Sequence, residues 1–213
     1  MRSTILRAGI ALLVLTGCST VYYSVWEKLG YEKRDLLRSN VEGVREDQEE
    51  VGEQFESTLE EIKAIYGLEG GDLEKQYDRF KGEYDRSVAK AEALRERIAK
   101  VEEVASDLFT EWAGELEMIS DPGLRQRSRE QLAATKTRYQ RLSSALARTE
   151  AGLDPVLQRF QDQVLFLKHN LNAQAVGGLE SEVRSIESEV DDLIADLRDS
   201  IRQADDFIQG LPE

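Results

Sequence analysis

Apolar residues recur along this chain at alternating steps of four and three, a spacing that predicts long helices joined by short turns. The longest run is Leu73, Tyr77, Phe80, Tyr84, Ser87, Ala91, Leu94, Ile98, Val101, Ala105, Leu108, Trp112, Glu115 and Ile119. Only Ser87 and Glu115 interrupt it with a polar group. A 3.5-residue repeat held for about six heptads is the seam of a supercoiled helix. At about 1.5 Å per residue this helix is roughly 70 Å long, and it needs partners along its whole length. The run before it supplies one. Leu37, Val41, Val44, Gln48, Val51, Phe55, Thr58, Ile62 and Ile65 keep the same spacing and predict a helix over 32–66. Gly43 and Gly52 flank that seam. Each costs about 1 kcal/mol relative to Ala, and each suits the close approach of a crossing helix. Gly70-Gly71 is the expected turn, and Asp72 a suitable N-cap for the central helix. So short a loop makes the two helices antiparallel neighbours.

The central helix is expected to stop at Ser120-Asp121-Pro122-Gly123, with Asp121 capping the next helix and Pro122 at its first position. The third seam is Leu124, Ser128, Leu132, Thr135, Tyr139, Leu142, Leu146, Thr149 and Leu153. Asp154-Pro155 repeats the cap-plus-proline signal and predicts a fourth helix with Leu157, Phe160, Val164, Leu167 and Leu171. Beyond Gly177-Gly178 a seam shifted by one position begins: Leu179, Val183, Ile186, Val190, Leu193, Leu197, Ile201, Ala204, Ile208 and Leu211. Such a shift is a stutter in one helix or a break between two. The architecture is therefore all-α, an elongated antiparallel helical bundle or coiled coil of four long helices, or five if broken at Gly177-Gly178.

The two adjacent glycines at the seam shift favour the break. An unbroken last helix would outrun the central one and leave its final seam in water, at about 25 cal/mol per Å² of apolar surface. In the unbroken alternative Val190, Leu193, Leu197 and Ile201 would dock a second copy or another protein. Val164, Leu165, Phe166 and Leu167 form the other docking candidate, because this run is apolar on every face. It is an enclosed core segment or an exposed patch, and the enclosed reading is preferred.

Composition agrees with the periodicity. The chain of 213 residues is rich in charged and apolar helix formers and has three prolines, the profile of long helices and coiled coils. Forty-two acidic residues against 28 Lys and Arg give a formal charge of −14. That balance argues against nucleic acid, which needs clustered cations, and against docking a polar face on anionic lipid. Acids and bases alternate at helical spacing, as on a solvated, ion-paired surface. The exception is the outer face of the third helix, with Arg125, Arg127, Arg129, Lys136, Arg138, Arg141 and Arg148. These are expected to pair with acidic neighbours; the other reading is a face for phosphate or glycan.

The first residues address the chain. Arg2 and Arg7 form a positive n-region, Ala8 to Leu15 a short apolar h-region, and Leu15-Thr16-Gly17-Cys18 follows. The apolar run is a secretory signal, too short to remain as a membrane span. Leu-Thr-Gly-Cys resembles a bacterial lipobox. The resemblance implies cleavage before Cys18 and acyl chains on its sulfur and amine. Ser19, by similarity to the sorting rule of Gram-negative bacteria, implies the outer membrane, with the protein facing the periplasm. Cys18 is the only cysteine, so the mature chain has no disulfide. Tyr22, Tyr23, Trp26 and Tyr31 suit the membrane–water boundary, or they pack on the bundle end. The expected division is a lipoprotein signal peptide at 1–17, a lipidated aromatic juxtamembrane segment at 18–31 and the helical bundle at 32–213.

Chemistry is sparse. His169 is the only histidine, which leaves no Glu-x-x-His pairs for a metal site. No Gly-x-Ser-x-Gly, Walker loop or dinucleotide fingerprint occurs. No cofactor, metal or catalytic residue is expected, and His169 reads as a surface or interhelix hydrogen-bonding group. Two further runs, Tyr22-Tyr23-Ser24-Val25-Trp26-Glu27-Lys28-Leu29-Gly30-Tyr31-Glu32-Lys33-Arg34-Asp35 and Phe166-Leu167-Lys168-His169-Asn170-Leu171-Asn172-Ala173, together with the lipobox, resemble the bacterial lipoprotein family called domain of unknown function 2959. The resemblance implies secretion and a helical rod over nearly all of the mature chain, and brings no site residues. The expected function is that of an acylated periplasmic rod, a structural or protein-interaction module of the cell envelope. Its partners would be the membrane, through Cys18, and an envelope protein or a second copy. The alternative is a sensory bundle that binds a small ligand or ion between its helices.

Overall fold

The computed structural model describes residues 33–66, 73–170 and 180–211. Its four helices are α1 Lys33–Tyr66, α2 Leu73–Leu116, α3 Pro122–His169 and α4 Glu180–Gln209. They contain 34, 44, 48 and 30 residues, or about 50, 65, 70 and 45 Å. Ion pairs fix their directions. Lys33–Glu111 at 2.8 Å and Arg79–Glu61 at 2.5 Å join opposite ends of α1 and α2. Arg148–Asp199 at 2.6 Å and Arg159–Glu189 at 3.0 Å join α3 to α4. Lys63–Glu187 at 2.7 Å and Arg45–Asp205 at 3.7 Å join α4 to α1. In each set numbers rise on one helix as they fall on the other. With the α2–α3 hairpin, this gives an up-down-up-down ring in which each helix has two antiparallel neighbours and turns its apolar stripe to the axis.

The core is continuous along that axis. The whole predicted seam of α1, from Leu37 to Ile65, is buried. One aromatic cluster joins α1, α2 and α3, with Phe160 packed 5.8 Å from Phe55 and 6.3 Å from Phe80 between ring centres. A second joins α2, α3 and α4, with Tyr139 5.4 Å from Phe109 and 5.9 Å from Phe207. Tilted and edge-on pairs like these add about 0.5–1.5 kcal/mol each beyond area burial. Two glycines let α4 come close. A Cβ on Gly52 would stand 3.3 Å from Ile194 Cδ1, and one on Gly152 would stand 3.1 Å from Leu193 Cδ1. Gly52 thus marks a close helix approach, as its place beside the seam predicts.

Two boundaries differ from expectation, and a third decides between the alternatives for the last helix. Asp154-Pro155 does not start a helix, because Pro155 lies inside α3. An internal proline costs a hydrogen bond and about 3 kcal/mol. Here it sits on the exposed face with Ala151, whose freed carbonyl can take water. Leu153, Val156, Leu157 and Phe160 remain buried on either side, and that unbroken seam holds the helix together. The end of α2 also slips. Beyond Ala105 the buried positions are Phe109 and Leu116, while Leu108 and Trp112 are only half-buried and Glu115 is exposed. A one-position shift keeps the Glu115 carboxylate in water. The helix closes with short-range bonds such as Met118 N–H to Glu115 O at 2.9 Å, a tightened last turn. Finally, α3 ends at His169 and α4 packs back along it. The long last helix is therefore broken between α3 and α4, the preferred alternative; Gly177-Gly178 itself lies outside the described residues.

Candidate functional site

The eight docking candidates fall mainly inside the bundle. Val164, Leu167, Val190, Leu193 and Leu197 are buried. Phe166 and Ile201 are half-buried, and Leu165 alone is exposed, at 52 %. Because α4 folds back, its seam is occupied by α1 and α3, so the docking role of Val190, Leu193 and Leu197 does not hold for the folded monomer. On α4 the fully buried line passes through Ser200, Ala204 and Phe207, one position off the line through Ile201 and Ile208. A single exposed Leu165 is ordinary for a soluble surface. Cys18 lies outside the described residues.

Two polar layers interrupt the apolar axis. In the first, Gln54 Nε2 donates to Glu83 Oε2 at 2.7 Å and Thr58 Oγ1 lies 2.8 Å from Ser87 Oγ, which ties α1 to α2. Burial pushes the Glu83 carboxyl up, but hydrogen bonds from Arg86 and Gln54 outweigh it and hold the group below its ordinary value. In the second, Gln48 Nε2 donates to Ser200 Oγ at 2.7 Å across α1 and α4. Arg148–Asp199 places Thr149 of α3 at the same height. Gln48 Oε1 and Thr149 Oγ1 are buried without a hydrogen-bond partner, an arrangement that costs about 1–3 kcal/mol per group unless something polar fills it. Gln48, Thr58, Ser87 and Thr149 stand in the seams as the spacing predicts. Gln54 and Ser200 lie outside the predicted apolar lines, so their partnerships were not legible there.

The basic face of α3 is only partly neutralised. Arg148 meets Asp196 at 3.8 Å and Asp199 at 2.6 Å, and Arg129 reaches Glu117 only at 4.0 Å. Arg138 donates to Gly210 O at 2.6 Å, and Lys136 lies over the Phe109 ring at 5.6 Å. Arg127 and Arg141 make no ion pair among the described residues. The expectation of general pairing therefore holds for Arg148 and, weakly, for Arg129. A shallow groove between α3 and α4 is lined by Arg141, Arg148 and Asp199.

The α2–α3 turn is the other distinctive surface. Met118 is 80 % and Leu124 53 % exposed, and Ile119 is half-buried beside them. Asp121 accepts from Leu124 N–H at 2.7 Å, and Arg125 donates twice to Ile119 O, at 2.9 and 2.6 Å. Trp112 Nε1 donates to Ser128 Oγ at 2.9 Å just behind.

Two phenols mark the ends of the bundle. Burial pushes Tyr66 up to about 12, with Glu182 adding to the shift, and burial with Glu102 does the same for Tyr139. Tyr66 donates to Gln163 Oε1. His169 is exposed at the end of α3. Among the described residues no group of three or more His, Cys, Asp or Glu side chains could hold a metal ion. No helix there is long and apolar enough to cross a membrane. No curated protein matches the chain. A family model described as "protein of unknown function (DUF2959)" matches residues 22–211, so the chain belongs to that family.

Proposed function

We propose that the protein is a lipid-anchored helical rod of the cell envelope, held at the outer membrane on its periplasmic side. There it acts as a structural or protein-interaction module rather than as an enzyme. The observation that carries this reading is the ordered set of Arg2 and Arg7, the apolar Ala8 to Leu15 and Leu15-Thr16-Gly17-Cys18. Several acyl chains on one residue anchor firmly, since each buried CH₂ contributes about 0.8 kcal/mol. The bundle fits the role: its helices are stitched by ion pairs on every side, and its stripes are satisfied internally. A partner, an envelope protein or a second copy, would therefore meet a polar face such as the α3–α4 groove at Arg141. Labelling of cells with radioactive palmitate tests the anchor. The wild-type chain is expected to take up label and Cys18→Ala to take up none; an unlabelled wild-type chain contradicts the reading. Crosslinking in cells from Gln140 or Arg141 would then identify what the face touches.

One observation favours a second reading, a sensory bundle. Gln48 Oε1 and Thr149 Oγ1 are each buried without a partner, and a small polar ligand or ion beside either would gain hydrogen bonds. Such a ligand would stabilise the fold by RT ln(1 + [L]/Kd), about 2.7 kcal/mol at a hundredfold excess over Kd. Gln48→Leu would abolish that gain.

A further inference from the structure

We propose that the α2–α3 tip is a second membrane contact, which dips Met118, Ile119 and Leu124 into the lipid surface to which Cys18 tethers the chain. The inference rests on the anchor reading above and adds an orientation to it. The up-down-up-down order brings the start of α1, the α2–α3 turn and the end of α4 to one end of the bundle. Fifteen residues separate Cys18 from Lys33 (33 − 18), a chain that spans at most about 50 Å. Cys18 is therefore joined to this end of the bundle, and only a fully extended tether, about as long as α1, would let the Leu165 end reach the bilayer instead.

The tip leads at that end. Lys33 pairs with Glu111 at 2.8 Å, which sets the height of the start of α1. Met118 lies seven residues further along (118 − 111), about 10 Å beyond. The end of α4 lies further back still, because Gly210 O meets Arg138, sixteen residues from the start of α3 (138 − 122) and so about 24 Å behind it.

The chemistry of the tip matches a lipid–water boundary. Met118 and Leu124 are two of the three large apolar side chains exposed among the described residues. The polar backbone around them is already paired, through Asp121 to Leu124 N–H and Arg125 to Ile119 O, so little must be desolvated as the tip enters the headgroups. Behind the apolar point, residues 122–141 carry Arg125, Arg127, Arg129, Lys136, Arg138 and Arg141 against Glu130 alone, a local excess of cations that attracts lipid phosphates. Of the carboxylates at the tip, Asp121 caps α3 and Glu117 lies 4.0 Å from Arg129, while the exposed Glu115 is on the α2 arm. The chain as a whole is acidic, yet this arm is not.

The test uses the full acylated chain in vesicles of phosphatidylethanolamine and phosphatidylglycerol. An environment-sensitive fluorophore is attached to the thiol of Met118→Cys and, in a separate variant, to that of Leu165→Cys; acylated Cys18 leaves no competing thiol. The expected result is a blue-shifted emission at 118 that lipid-borne nitroxide quenches, and an unquenched, water-like signal at 165. Replacing Arg127 and Arg129 by Glu should reduce the quenching at 118 severalfold. A water-like label at 118 in protein whose acylation is verified by mass overturns the proposal and leaves the anchor standing. Quenching at 118 in a Cys18→Ser chain lacking acyl groups supports the tip contact on its own. A blue shift at 118 that persists without vesicles means that protein covers the tip, and it also overturns the proposal.

Discussion

The body of the bundle and its α2–α3 tip follow opposite rules. In the body four helices enclose a common axis, and Phe55, Phe80 and Phe160 are wholly buried. Among the described residues, neither α1 nor α4 lies beside the hairpin past Lys33, and there the same kind of periodic apolar residue, Leu124, is exposed. The pattern of a stripe is set by the helix, but its burial is set by whether partner helices extend that far. Stability therefore resides in the body, while Met118 and Leu124 stand exposed where partner helices run out.

The comparison is broken most forcefully at Phe160, which touches two aromatic rings. Phe160→Ala should cost about 3–5 kcal/mol, read from denaturant unfolding followed by helical circular dichroism. Leu94→Ala and Ile98→Ala should each cost about 2–4 kcal/mol in the same assay. A loss below about 1 kcal/mol at all three would mean that the axis is not packed as described.

Alkaline pH should loosen the ends. Tyr66 and Tyr139 favour the neutral phenol in the folded state and are pushed up to about 12 from 10.0. Their contribution is complete below pH 10 and is lost as pH rises from 10 towards 12. Both rings are partly solvated, so the loss is discounted to about 1 kcal/mol each. The double variant Tyr66→Phe/Tyr139→Phe should lack this component of the pH dependence. Smaller again is Arg148→Ala, which removes two exposed ion pairs and should cost about 0.2–1 kcal/mol. Smallest is Met118→Ser with Leu124→Ser at the tip. It should change stability by less than about 0.5 kcal/mol, and a large loss would show that the tip is part of the core.

Much of this was legible in the sequence, because burial in a long bundle follows spacing. The α1 seam is buried as the spacing predicts, and Asp121 caps α3 where the Asp-Pro signal places it. The same signal misleads at Asp154-Pro155. There the spacing from Leu153 through Leu157 to Phe160 never slips, and a continuous apolar face outweighs one exposed proline. Asp154 instead pairs with Arg95 of α2 at 2.5 Å. The tip was not legible as a surface, since periodicity assigns Leu124 and Ile119 to seams and carries no information on where neighbouring helices stop. Gln48 and Thr149 were visible as polar breaks, but the pairing of Gln48 with Ser200 depends on how α4 folds back.

The leading proposal for this rod depends on its hanging from the bilayer by Cys18. Intact mass measurement of the protein extracted from membranes tests that most directly. The expected chain begins at Cys18 and carries the added mass of acyl groups on that residue. A chain that retains residues 1–17, or one with an unmodified Cys18, would contradict it.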